Sequence, residues 1–202
     1  MLKLAVLNYN MGNLASVVNA LKILGSDIVV ESNPDKIRDY DKIILPGVGS
    51  FGDAMIHLKN IGMDQAIKDY AKSGKYMLGV CLGMQLLFES SEEFGEHKGL
   101  GILEGNVKKF TKSDLKIPHM GWNKVFAKNN NTLFKDMEKD FYLYFIHSYY
   151  IETEEKYILG ETEYGERFTS AIQKDNIFGL QPHPEKSHNS GLHILKNFIE
   201  MR

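Results

Sequence analysis

The chain holds one cysteine, Cys81, and it stands in the turn sequence Gly79-Val80-Cys81-Leu82-Gly83. A nucleophile flanked by glycines at this spacing, between an apolar strand and a helix, is forced into a strained bend that lifts its side chain above a sheet. The glycines remove Cβ atoms that would collide in so tight a turn. A cysteine there also lies at the start of the following helix, where the macrodipole and unpaired N–H groups favour thiolate over thiol. A lone cysteine is more commonly a buried apolar residue. What lifts Cys81 above that reading is a second stretch near the C-terminus, Gln181-Pro182-His183-Pro184-Glu185. Pro184 biases His183 toward extended backbone, and in an extended segment residues two apart face the same way. Glu185 is thus placed to take one ring N–H of His183, fix its tautomer and steady the imidazolium formed in proton transfer. The parts are those of an acyl-transfer site, with Cys81 as nucleophile, His183 as base and Glu185 as orienter.

Acyl transfer also needs donors for an oxyanion. Pro46-Gly47-Val48-Gly49 follows a strand and falls at the carboxyl edge where open α/β sheets bind ligands. Its glycine-flanked backbone can aim N–H groups at a tetrahedral oxyanion, with the Leu82 N–H as partner, each such donor being worth ~10²–10³ in turnover. The same stretch, Gly47-x-Gly49-x-x-Gly52, also fits a dinucleotide fingerprint. That reading is rejected because the match follows the third strand and the next strand ends in Cys81 instead of a ribose-binding acid. His183, His188 and His193 are five apart, which is not the ligand spacing of a helix face, and no H-E-x-x-H occurs. No metal and no cofactor are expected.

The elements that must carry these residues read in two halves. Residues 2–7, 28–30, 42–45 and 76–80 form strand-like apolar runs. Helical patterns fall at 14–24, 51–58, 63–72 and 82–89, with Gly25 and Gly74 as stops. Such alternation means crossover connections and a parallel sheet covered on both faces. The second half predicts short strands at 107–110, 122–126, 141–147, 157–162, 169–173 and 177–181, then a closing helix at 192–199. The expected fold is α/β: flavodoxin-like, three-layered, with a central mostly parallel mixed sheet and antiparallel strands added in the C-terminal half. Residues 1–202 are expected to form one domain, with Asn129, Asn130 and Asn131 as an exposed loop tip.

Composition narrows the function. The 202 residues are 43% apolar and 25% charged with a formal net charge of -2, ordinary for a globular domain. That charge argues against a nucleic-acid surface. One cysteine excludes an intrachain disulfide and a cysteine-held zinc. The first apolar run is too short for a signal segment, and nothing approaches the ~20 apolar residues of a membrane helix. A cytoplasmic protein without a membrane partner is expected.

With Cys, His and Glu in this order, the chain resembles the class-I, triad-type glutamine amidotransferases. More narrowly it resembles the glutaminase subunits of imidazole glycerol phosphate synthase. The likeness covers essentially the whole chain. Beyond the two stretches above it is carried by Met11-Gly12-Asn13-Leu14, Leu45-Pro46-Gly47-Val48-Gly49, Gly83-Met84-Gln85-Leu86-Leu87, Pro118-His119-Met120-Gly121-Trp122-Asn123, His147-Ser148-Tyr149-Tyr150 and Lys186-Ser187.

The resemblance implies that Cys81 attacks the side-chain amide of L-glutamine and that the Val48 and Leu82 N–H groups form the oxyanion hole. It implies further that Gly49, Gln85, Glu93, Ser148 and Tyr149 hold the substrate. Ammonia would pass to a separate cyclase subunit of (β/α)₈ fold in a heterodimer. Two positions depart from the family pattern. Pro182 stands where Phe is usual, and Asn8-Tyr9-Asn10 where Asp and Gly are usual; Asn10 tolerates left-handed backbone better than most residues. Such departures suit a paralogue serving surface-sugar amidation as the alternative, with a catalytically silent partner-binding subunit or a related hydrolase as further readings. Trp122 is either core or part of a docking face with the Asn13 loop.

Overall fold

The computed structural model describes residues 2–11, 13–111, 116–128 and 132–202. The Asn129–Asn131 loop tip and Gly12 of the Asn13 loop lie outside the described residues.

Four-residue apolar runs build the centre. Strand β1 (Leu4–Leu7) is buried along its whole length, and helix α1 (Leu14–Ile23) returns the chain to β2 (Ile28–Glu31). Gly25, at φ 73°, ends α1: its N–H reaches the Lys22 carbonyl and the Ser26 N–H the Leu21 carbonyl, the paired bonds of a left-handed helix stop. A 3-10 turn at Pro34–Asp39 leads into β3 (Lys42–Leu45), followed by α2 (Phe51–Asn60), α3 (Met63–Lys72) and β4 (Tyr76–Val80). Ser50 caps α2 by accepting the Asp53 N–H. With β13 (Ile177–Leu180), these strands run parallel in the order β2-β1-β3-β4-β13, the flavodoxin-like arrangement.

Period-two alternation splits the core into the two faces of this sheet. Leu4, Val6, Leu78, Val80, Phe178 and Leu180 pack with Val17 and Leu21 of α1 and with Ile194, Leu195 and Phe198 of the closing helix α5 (His188–Glu200). Ala5, Leu7, Ile43, Leu45 and Met77 pack with Phe51, Met55 and Leu58 of α2 and Ile67 of α3. Three layers result, as expected.

Beyond β13 the pairing turns antiparallel. β12 (Glu166–Lys174) lies beside β13, and β10 (Tyr149–Glu152) joins β12 to β7 (Asn106–Lys109). The two-residue strands β5 (Ser90–Ser91) and β6 (His97–Lys98) finish that edge. Branching from β12, β11 (Ile158–Tyr164) leads to β8 (His119–Ala127) and then β9 (Asp140–His147). The expected strands at 122–126 and 169–173 are thus longer than their patterns suggested, and β5, β6 and β10 had no separate expectation.

One polar group is sunk in the helical face. Lys42, 2% exposed, sends its Nζ to the carbonyls of Phe198, Ile199 and Met201 at 2.8, 2.6 and 2.6 Å. The ammonium satisfies acceptors that α5 leaves open at its C-terminus and complements the negative end of its dipole.

Candidate active site

At the carboxyl edge of the parallel strands, β4 breaks into the turn at Cys81. The residue has φ 53° and ψ -114°, a backbone that costs on the order of 1–3 kcal/mol for a side chain with a Cβ. Its neighbours make room for it. A Cβ on Gly83 would lie 1.8 Å from the Leu45 carbonyl oxygen, and one on Gly79 2.8 Å from backbone atoms of Gly83 and Met84. A Cβ on Gly47 would come 2.6 Å from the Tyr9 hydroxyl. The glycines therefore let the nucleophile turn and the 46–49 loop press together. Tyr9 secures that loop by donating to the Pro46 carbonyl at 2.8 Å. Gly52, which completed the false dinucleotide pattern, serves packing: a Cβ there would lie 2.8 Å from the His97 ring.

The helix after the nucleophile is shorter than the expected 82–89. Helix α4 spans Leu82–Gln85, because carbonyls beyond it turn to another segment. Leu86 accepts from the Leu100 N–H, Leu87 from Ile102 and Leu103, and Phe88 from Gly101. So short a helix carries little macrodipole. The positive group available to the Cys81 sulfur is instead a side chain.

That side chain is His183. It and Glu185 are almost wholly buried, at 3% and 2% side-chain exposure, with Nδ1 and Oε1 2.8 Å apart. Glu185 reaches the ring from a 3-10 turn at Pro184–Lys186, not along an extended strand as the sequence suggested. His183 itself is extended (φ -98°, ψ 95°). Its N–H donates to the Tyr144 carbonyl at 2.8 Å and its carbonyl accepts from Ser187 Oγ at 2.6 Å. These bonds hold the segment without the N–H that Pro182 lacks. Burial opposes charge on the ring, but its electrostatic and hydrogen-bond interactions with the Cys81 sulfur and then with Glu185 outweigh it and push His183 up to about 10. Its Nε2, the ring nitrogen turned away from Glu185, is buried and interacts with the Cys81 sulfur, as the proton-transfer atom of a base beside a thiol would.

A cavity of about 320 Å³ opens over this pair. Val48, Gly49, Cys81, Leu82, Gln85, Glu93, Ser148, Tyr149 and His183 line it, so every site residue expected from sequence faces it except Glu185, which stands behind the ring. Gln85 bridges the Tyr149 carbonyl (3.1 Å) and Gln181 Oε1 (2.9 Å), and Gln181 Nε2 lies 3.8 Å from the Cys81 sulfur. One oxygen of Glu93 accepts the Phe51 N–H at 2.6 Å, capping α2; burial raises its carboxyl despite that bond. Pro118, Ile146, His147 and Lys186 also line the cavity and were not singled out as site residues. His147 had the clearest signal, an imidazole directly before Ser148-Tyr149.

Around the rim, Asn10 adopts φ 65°, the left-handed backbone its side chain tolerates. A Cβ on Gly49 would meet Met11 Cε at 2.9 Å, so Met11 borders the cavity. Trp122 is 46% exposed and stacks on His188 with ring centroids 5.0 Å apart and planes 3° from parallel; it is not core. Among the described residues no three His, Cys, Asp or Glu side chains are grouped as metal ligands would be, and no helix is long and apolar enough to cross a membrane.

Residues 5–201 match the family model for glutamine amidotransferase class-I, and the chain belongs to that family. Within it, the chain is similar to proteins named imidazole glycerol phosphate synthase subunit HisH. That of Sulfurimonas denitrificans is 56% identical, with 98% of each chain covered, and that of Wolinella succinogenes 55%, covering 97% of this chain and 98% of its own. That of Helicobacter hepaticus is 47% identical with 99% of each covered. The fold is also that of a chain in the structure of PurLQS from Thermotoga maritima, with a TM-score of 0.78 at 22% identity over 98% of this chain and 97% of the other.

Proposed function

We propose that the chain is the glutaminase subunit of imidazole glycerol phosphate synthase, releasing ammonia from L-glutamine for a cyclase subunit in histidine biosynthesis. The observation that carries this reading is the cavity shared by a strained Cys81 and the His183 ring that Glu185 holds beside it, in a chain 56% identical to a HisH subunit.

In this reading the Cys81 sulfur attacks the side-chain carbonyl carbon of glutamine, and the oxygen gathers charge facing the Val48 and Leu82 N–H groups. The carbon–nitrogen bond breaks as His183 gives its Nε2 proton to the nitrogen, and ammonia leaves. Water, deprotonated by the now-neutral His183 Nε2, attacks the thioester, and glutamate departs with the sulfur restored. Glu185 keeps the ring aligned throughout and balances its charge. Gly49, Gln85, Glu93, Ser148 and Tyr149 hold the substrate, with the Glu93 carboxylate suited to the α-ammonium.

The partner, a cytoplasmic cyclase of (β/α)₈ fold, docks over the exposed face near the cavity. Met120 and Trp122 supply its apolar contacts and form a heterodimer interface with Asn10, Met11 and Asn13. The test is glutamate release with the partner and its nucleotide substrate present, repeated with Cys81→Ala. Loss of release, with ammonium-driven product formation kept, supports the proposal; unchanged release in the variant overturns it.

A further inference from the structure

Two buried histidines lie outside the chemistry assigned so far. His119 on β8 is 3% exposed and His147 at the end of β9 6%. They face each other across the β8–β9 ladder, Nδ1 of His119 lying 3.0 Å from Nε2 of His147. His147 Nδ1 lies 2.7 Å from the Tyr149 carbonyl oxygen, and His119 Nε2 3.2 Å from Asn123 Nδ2.

The proton positions along this line follow from its two ends. A carbonyl only accepts, so His147 Nδ1 carries the hydrogen given to Tyr149. At the far end, Asn123 Oδ1 accepts the Lys124 N–H at 2.7 Å and Nδ2 donates to the Glu163 carbonyl at 2.9 Å, which fixes the amide orientation. Asn123 thus donates to His119 Nε2. Each neutral ring then has one assignment: His119 donates from Nδ1 to the bare Nε2 of His147. Burial pushes His119 down to about 4 and His147 to about 3, so both rings are uncharged at neutral pH.

We propose that His147, backed by His119, is a positioning residue for the substrate pocket, holding the Tyr149 carbonyl through a one-way hydrogen-bond chain from Asn123. The proposal rests on the reading that Ser148 and Tyr149 hold glutamine. The Tyr149 carbonyl also accepts from Gln85, while the Ser148 carbonyl accepts the Phe110 N–H at 3.3 Å. Both peptide planes flanking the Tyr149 Cα are therefore fixed from behind, and the pocket wall they form has little freedom left. Phe110, Phe145 and Phe168 pack around the His147 ring with centroids 5.2 to 5.7 Å away. An aromatic replacement would fill the same volume and lose only the polar contacts.

The test compares His147→Phe with His147→Asn, whose amide nitrogen can stand where Nδ1 stood, in the chain complexed with its cyclase. Losing the Tyr149 bond should raise the KM for glutamine about 10-fold in the Phe variant with kcat changed less, and the Asn variant should recover most of that loss. Nitrogen-15 spectra of the wild-type complex, which need no variant to fold, should show both rings protonated at Nδ1 alone near pH 7. An unchanged KM in the Phe variant, an Asn variant no better than Phe, or a proton on either Nε2 overturns the proposal. A wild-type complex without saturable glutamine turnover would overturn the glutamine reading and the positioning role together. Normal turnover with an indifferent His147 would overturn the positioning role alone.

Discussion

Gly83 sits against the Leu45 carbonyl so closely that a Cβ on it would lie 1.8 Å from the oxygen. Strand β3, whose end carries the 46–49 loop, and the turn bearing the nucleophile are thus in backbone contact. No flexible side chain stands between them to yield. Gly83→Ala must push the two apart, and overpacking of this kind costs about 1–3 kcal/mol or more. Denaturant unfolding should show that loss, with glutamine turnover falling further than stability alone would explain.

Tyr9 tests the same junction more gently. Tyr9→Phe keeps the buried ring but leaves the Pro46 carbonyl without its 2.8 Å partner. The expected stability loss is about 1–1.5 kcal/mol. Because the 46–49 loop then loses its tether, kcat should fall while the KM for glutamine changes little. Steady-state kinetics alongside thermal melts separate the two effects.

The charge on His183 has a definite pH signature. Its folded pKa, about 10, lies above the ordinary 6.5. The stabilisation its proton gives is therefore complete below pH 6.5 and is lost as pH rises through about 10. Turnover should fall in the same alkaline range, as the ring can no longer protonate the leaving ammonia. In Cys81→Ala the largest raising influence is gone while burial and Glu185 remain, so an imidazole titration followed by NMR should move to lower pH. A ring that titrates at the same pH in both proteins would contradict the pairing.

Glu185→Gln keeps the shape beside Nδ1 and removes the charge. Loss of the orienting carboxylate should lower kcat on the order of 10²–10⁴-fold with little change in the KM for glutamine. Wild-type kcat in the variant would show that the 2.8 Å contact is structural only.

Lys42→Met should destabilise the fold by about 2 kcal/mol or more, since three carbonyls, two of them fully buried, lose their donor at once. Activity per folded molecule should be unaltered, because Lys42 lies at the opposite end of β3 from the 46–49 loop. Chemical unfolding monitored with an activity assay distinguishes these outcomes.

The strained turn at Cys81 was legible in the sequence because its backbone admits so few residues: two glycines around a cysteine leave little else to build. The inner parallel strands were equally plain, since burial on both faces demands unbroken apolar runs. Distant hydrogen bonding was not legible. Residues 86–89 carry a helical pattern, yet their carbonyls are taken by residues 99–103. The two-residue strands at Ser90–Ser91 and His97–Lys98 are too short for any period to register. The His147–Tyr149 bond depends on a bend between β9 and β10 that apolar spacing does not reveal. At Glu185 the expected partner was right and the expected geometry wrong, because a residue two positions away reaches the same ring from a tight turn as from a strand.

The anchoring of the last helix by Lys42 bears on how the protein can be handled. Since the Phe198, Ile199 and Met201 carbonyls all terminate on one buried ammonium, the clasp is made with main chain alone. Substitutions at those three positions keep the carbonyls and leave it closed. A truncation that removes Phe198–Met201 would pry it open and cast the lysine adrift.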